Sequence, residues 1–148
     1  MQRVSNITAC GQWDKSAAVD RVVLDAGDRQ RRRAVLTGEK GMTFLLDFDK
    51  PTMLRDGDGL VLDDGSIVLV AGEPEPLVEI STRSKIDTLR LAWHIGNRHT
   101  ELQVVGDALR IRRDHVLEDM LSGQGAHLKP VDAAFDPLAP DGSDGHGA

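Results

Sequence analysis

Seven consecutive residues, Trp93-His94-Ile95-Gly96-Asn97-Arg98-His99, hold two of the five histidines in this chain. Histidine is the commonest side-chain metal ligand, and neutral imidazole suits zinc, copper, iron and nickel. Two imidazoles at this spacing do not close a site, because a structural metal takes about four protein ligands and a catalytic one about three. A metal site here needs donors from elsewhere. His99 falls in a loop after a helix-ending glycine, as a metal ligand or as a surface histidine bonded to a neighbour. His94 falls in the last turn of that helix, where the negative end of the dipole favours a cation and a structural role. His115 has the opposite setting at a helix start, which suits a neutral, metal-binding ring, although it could also cap or pack. His127, at the start of the last strand, and His146, in the tail, read first as solvent-facing filler.

Other chemistries find little support. There is no strained nucleophile turn with Ser-His-Asp, no Gly-rich phosphate loop followed by Lys, and no pair of carboxylates in an evident pocket, so an enzyme is not expected. A hydrolase using His99 as general base would lack a nucleophile. Asp56-Gly57-Asp58-Gly59 invites a calcium reading, but an EF-hand loop needs an oxygen ligand where Leu60 stands and helices around it, so turn chemistry is the better account. The single Cys10 cannot form an internal disulfide.

The elements that would position these residues divide in two. From Arg21 to Ala71, short strands at Val22–Leu24, Ala34–Leu36, Met42–Leu46, Leu60–Leu62 and Ile67–Val70 are separated by Gly/Asp turns, the pattern of a small antiparallel β domain. Pro74 and Pro76 cannot donate to a ladder and mark the boundary. Beyond it, Leu77–Ser81 alternates as a strand, and Ser84 with Asp87 resembles a helix-capping pair. Ile86, Leu89 and Trp93 recur at helical spacing until Gly96-Asn97. Thr100–Val105 and Ala108–Arg112 form a hairpin around Gly106-Asp107, with Leu102, Val104, Leu109 and Ile111 facing inward. Asp114 caps a second helix striped by Val116, Leu117, Met120 and Leu121, and Leu128–Val131 is a last strand. The order βαββαβ predicts a ferredoxin-like sheet with two helices on one face. The expected fold is therefore α+β: an N-terminal β domain over 1–73, a ferredoxin-like domain over 74–132 and a mobile acidic tail over 133–148.

A chain of 148 residues with 40% hydrophobic and 28% charged residues is ordinary for a globular protein, and no apolar run approaches the ~20 residues of a membrane span. Neither membrane insertion nor a leader peptide is expected, and the default address is cytoplasmic. A net charge of −6 argues against nucleic acid as a partner. The one basic cluster, Arg29 with Arg31, Arg32 and Arg33, reads as a solvated strand entry, with a patch for an acidic partner as the minor alternative.

Together, Trp93-His94-Ile95-Gly96-Asn97-Arg98-His99, Leu102-Gln103, Leu109-Arg110 and Asp114-His115-Val116-Leu117-Glu118-Asp119-Met120-Leu121 closely resemble the C-terminal half of the UreE-type urease accessory proteins, the nickel metallochaperones of urease maturation. The likeness reaches back through Leu54-Arg55-Asp56-Gly57-Asp58 to about Arg31. The resemblance implies an N-terminal domain of the peptide-binding, docking type and a C-terminal metal domain that forms a head-to-head homodimer. It implies that His99 from each subunit holds Ni²⁺ at the dimer axis; the residues themselves leave His115, His94 and His146 as secondary candidates, and by affinity order Zn²⁺ or Cu²⁺ can substitute. It implies delivery of nickel to apo-urease alongside the other accessory proteins, including the maturation GTPase. Two features depart from many relatives: Arg112 and Arg113 stand where an extra histidine often precedes the one matching His115, and the tail carries only His146. A general divalent-metal buffer or a zinc-dependent interaction module is the alternative reading, because the ligand types alone do not select nickel.

Overall fold

The computed structural model of the chain describes residues 1–138 and shows an α+β protein that divides into two units, Met1–Glu73 and Pro74–Leu138. His146 and the rest of the expected tail beyond Leu138 lie outside the described residues.

The first unit is built on a sheet of six strands: β1 (Gln2–Thr8), β2 (Asp20–Leu24), β3 (Gln30–Thr37), β4 (Thr43–Met53), β5 (Gly59–Leu62) and β6 (Ile67–Gly72), in the order β2-β6-β5-β1-β4-β3. Its core is aliphatic, with Val22, Phe44, Leu46, Leu54, Leu60, Leu62, Val68 and Val70 buried. The expected antiparallel pattern holds for β3 with β4 and β5 with β6; β1, a strand outside the expected set, pairs antiparallel with β5 and parallel with β4, and β2 pairs parallel with β6. Turn residues mark hairpins between consecutive strands, whereas a parallel pair joins segments remote in sequence and leaves no local signal. A four-residue helix, α1 (Ala26–Arg29), is capped by Asp25 and buries Arg29, whose guanidinium donates to Leu24 O (3.2 Å) and Leu54 O (3.1 Å). The Asp-Gly-Asp-Gly segment is a turn: Asp58 is buried and accepts from the N–H groups of Cys10 (3.1 Å) and Arg55 (2.8 Å).

The second unit has β7 (Pro74–Ser81), α2 (Lys85–Asn97), β8 (Gln103–Val105), β9 (Ala108–Arg112), α3 (His115–Gly123) and β10 (His127–Ala134), with the strands ordered β10-β7-β9-β8. This is the expected split βαβ arrangement. Both helix starts follow the sequence: Ser84 Oγ accepts from Asp87 N (3.2 Å), and Asp114 Oδ1 accepts from Leu117 N (3.0 Å). Pro74 and Pro76, expected to interrupt the sheet, lie inside β7. They are tolerated because β9 pairs only with Leu77–Ile80; at Pro76 the neighbouring contact is Arg113 N–H donating to the proline carbonyl (3.3 Å), which needs no proline N–H.

Side-chain placement departs from the sequence reading in α2 and β8. The sheet buries Leu91 and Ile95, on the opposite side of α2 from the recurring apolar set, and Ile86, Leu89 and Trp93 remain 55%, 64% and 65% exposed. Val104 and Val116 are exposed as well, while Leu109, Ile111, Leu117 and Leu121 join the core.

Ordered structure also continues beyond residue 132, where the tail was expected to begin. Phe135 is fully buried, and the stretch Phe135–Leu138 crosses from β10, at one edge of the sheet, to Leu102 beside β8, at the other. Contacts that hold this strap include Arg112 lying 4.8 Å over the Phe135 ring, Asp136 N–H donating to Gln103 Oε1 (3.1 Å), and Leu138 N–H donating to Leu102 O (2.8 Å). A single aromatic residue among Asp, Pro and Ala is a faint signal, because its partners are set by the sheet.

Candidate metal site

The end of α2 is where backbone and side chain combine. Arg98 is the C-cap, His99 N–H donates to Gly96 O (3.0 Å) and Thr100 N–H reaches back to Ile95 O (3.4 Å), the paired bonds of a Schellman motif. That motif needs a left-handed residue just past the cap, usually glycine. Here it is His99, at φ 58°, the one non-glycine with positive φ among the described residues. Gly96 and Asn97, expected as the stop of the helix, are its last two residues. An L-residue in this conformation costs roughly 1 kcal/mol, and such strain concentrates at functional positions. The backbone reversal leaves the His99 side chain exposed.

The other candidates are placed differently. His94 is exposed in the last turn of α2, edge-on to Trp93 with ring centroids 5.1 Å apart. It borders a groove of about 410 Å³ whose single carboxylate, Asp87, lies 3.7 Å from Arg90, so the groove supplies no second free acidic donor beside the imidazole. His115 is the first residue of α3 and stands 3.5 Å from Asp119 one turn on, with its side chain 91% exposed. His127 opens β10 and is exposed. No group of three or more His, Cys, Asp or Glu side chains able to hold a metal ion is gathered among the described residues. What the single chain offers is exposed imidazoles standing apart, among them His99 at its left-handed turn, donors that fit a metal only when others join them.

Sequence reasoning missed the charged lattice next to His99. Arg112 bonds Glu75 (Nε to Oε1, 3.0 Å) and also Glu101, two residues past His99. Burial pulls against the guanidinium's charge, but the bonds to Glu75 and Glu101 outweigh it and hold Arg112 protonated more firmly than usual. The same side chain carries the Phe135 contact, so one arginine ties the loop after His99 to the strap that ends at Leu138.

The family comparisons cover both units. Residues 1–71 match the profile described as "UreE urease accessory protein, N-terminal domain", and residues 75–148 match "UreE urease accessory protein, C-terminal domain". Over 137 residues, 93% of this chain, it is 50% identical to "Urease accessory protein UreE" of Rhodopseudomonas palustris (strain HaA2), 47% to that of Bradyrhizobium sp. (strain ORS 278) and 42% to that of Beijerinckia indica. The aligned part spans 63%, 65% and 79% of those proteins respectively, so the chain covers under two thirds of the first two. With its two units each matched end to end, the chain belongs to the UreE family of urease accessory proteins.

Proposed function

We propose that this chain is a nickel carrier in urease maturation, and that its cargo is held by His99 of two copies brought together at a symmetry axis. The observation that carries the reading is the left-handed His99, an exposed imidazole kept where glycine would be less strained. One such donor per chain is too few for a closed cage. Two across a boundary leave coordination incomplete, and an ion that must be handed on is better served by an open site than by four protein ligands. The exposed Ile86, Leu89, Trp93 and Val104 offer the apolar face a second copy would cover.

In this reading His146 is a supplementary ligand. It lies eight positions after Leu138, which is tied to Leu102, and eight extended peptide steps span at most ~28 Å. His115 and His94 are weaker auxiliaries, Zn²⁺ or Cu²⁺ can occupy the same donors, and the first unit is a docking module toward apo-urease and its accessory proteins, the maturation GTPase included. The protein acts as a carrier and not as an enzyme, in the cytoplasm where urease is assembled; no described helix is long and apolar enough to cross a membrane.

Calorimetric nickel titration of the wild type and His99→Ala, paired with nickel-dependent activation of apo-urease, tests the reading. About one tight ion per dimer is expected, lost with activation in the variant. Unchanged affinity in His99→Ala would remove the assignment, and tight binding without any effect on urease would favour a general metal buffer.

A further inference from the structure

The run of arginines left unused by the metal site lies on β3, the terminal strand of the first sheet. Gly38 N–H donates to Met42 O (2.8 Å), so Gly38 and Met42 form a hydrogen-bonded pair at the head of the β3–β4 hairpin. In an antiparallel ladder such pairs alternate with open ones. Following the register Thr37↔Thr43, Leu36↔Phe44, Val35↔Leu45, Ala34↔Leu46 and Arg33↔Asp47, Leu36 and Ala34 bond β4, while the N–H and C=O groups of Thr37, Val35 and Arg33 point away from it. These three residues also share one face, and all three are exposed, Val35 to 58%.

The charge along this edge is positive although the chain as a whole is at −6. Arg31 is matched by Asp28 (2.7 Å), but among the described residues Asp47 is the one carboxylate paired with both Arg33 and Arg3, each at 3.8 Å, and the Arg32 guanidinium donates to Phe48 O (3.3 Å). Like charges on facing strands repel, so this edge resists pairing with the same edge of a second copy and favours a strand of opposite sign. We infer that the outer edge of β3, which pairs with no further strand among the described residues, receives an acidic, extended segment of a partner protein as an added strand, bonded to the backbone of Arg33, Val35 and Thr37 and selected for charge by Arg32 and Arg33. The inference deepens the reading of the first unit as a docking module, and it is independent of where nickel binds.

The test uses the full chain and two fluorescein-labelled peptides, one alternating Glu and Val and one alternating Lys and Val. Anisotropy should show binding of the acidic peptide that weakens with added salt, and at least about tenfold weaker binding of the basic one. Arg32→Glu/Arg33→Glu should reverse the preference. Val35→Pro removes an outward N–H that β4 does not use, so it should fold and still lose the acidic peptide. Hydrogen exchange of the wild type provides a readout that needs no variant: the acidic peptide should slow exchange at Arg33, Val35 and Thr37. Equal binding of both peptides, absence of binding, protection confined to other strands, or equally tight binding of a thymidine oligonucleotide would each overturn the inference. Nickel affinity should be unchanged in every variant; its loss would count against the His99 reading and not against this one.

Discussion

At the residue scale, His99 separates two demands on one position. The backbone asks for glycine and the proposed chemistry asks for imidazole. His99→Gly should therefore abolish tight nickel binding while leaving the melting temperature unchanged or raised: relief of a left-handed penalty of about 1 kcal/mol is partly cancelled by the freer unfolded chain. His99→Val should lose nickel and also stability, because a β-branched side chain is the least tolerant of positive φ. Thermal melts of the two variants read the difference, and a large destabilisation in His99→Gly would show that the imidazole is kept for packing. His115 provides the contrast. Its contact with Asp119 is fully surfaced, and exposed pairs contribute little, so His115→Ala should alter stability by less than about 0.5 kcal/mol.

At the element scale, the tip of the β3–β4 hairpin is pinned by Asp20, the first residue of β2. Its buried carboxylate accepts from the N–H groups of Arg21 (2.7 Å), Lys40 (2.9 Å) and Met42 (3.1 Å). Burial pushes the carboxyl up, but those three bonds and the Lys40 charge together hold it below its ordinary value of 3.8. The unfolded chain therefore takes up the proton first, so the contribution is complete above about 3.8 and is lost as pH falls through the lower, folded value. Urea midpoints measured on acidification should fall more steeply in the wild type than in Asp20→Asn, which starts lower and lacks this carboxyl. A parallel decline in both would dismiss Asp20 as the source. Gly38 belongs to the same arrangement: a Cβ there would run into the buried Asp20 carboxylate, which its own hydrogen bonds hold in place, so Gly38→Ala should destabilise the first unit.

At the scale of the whole molecule, the proposed shared site makes metal binding and assembly one equilibrium. At free nickel about a hundred times the dissociation constant, the dimer should gain roughly 2.7 kcal/mol over separated chains. Sedimentation of dilute protein with and without nickel measures this, and a monomer–dimer constant indifferent to the ion would dissolve the link. Leu89→Glu places a charge in the exposed stripe of α2 without touching Leu91 or Ile95, so it should preserve the fold, prevent the dimer and weaken nickel binding together. A dimer that survives Leu89→Glu would show that the copies meet elsewhere.

How much of this was legible in the chain depends on how far along it each interaction reaches. The caps at Ser84 and Asp114, the hairpin at Gly106 and the βαββαβ order were readable because the groups involved are a few residues apart and their chemistry is local. The motif around His99 and the helix stop at Gly96-Asn97 could be recognised, but the left-handed backbone at His99 could not, since that conformation is ordinarily signalled by glycine. Helix α2 carries two apolar sets at helical spacing, and periodicity alone does not choose between them; the sheet took Leu91 and Ile95 and left Ile86, Leu89 and Trp93 outside. The parallel partners of β1 and β2 and the strap from Phe135 to Leu138 were likewise decided in three dimensions. Each joins segments tens of residues apart, and the free energy of such contacts resides in surfaces that exist only after the rest of the sheet has formed.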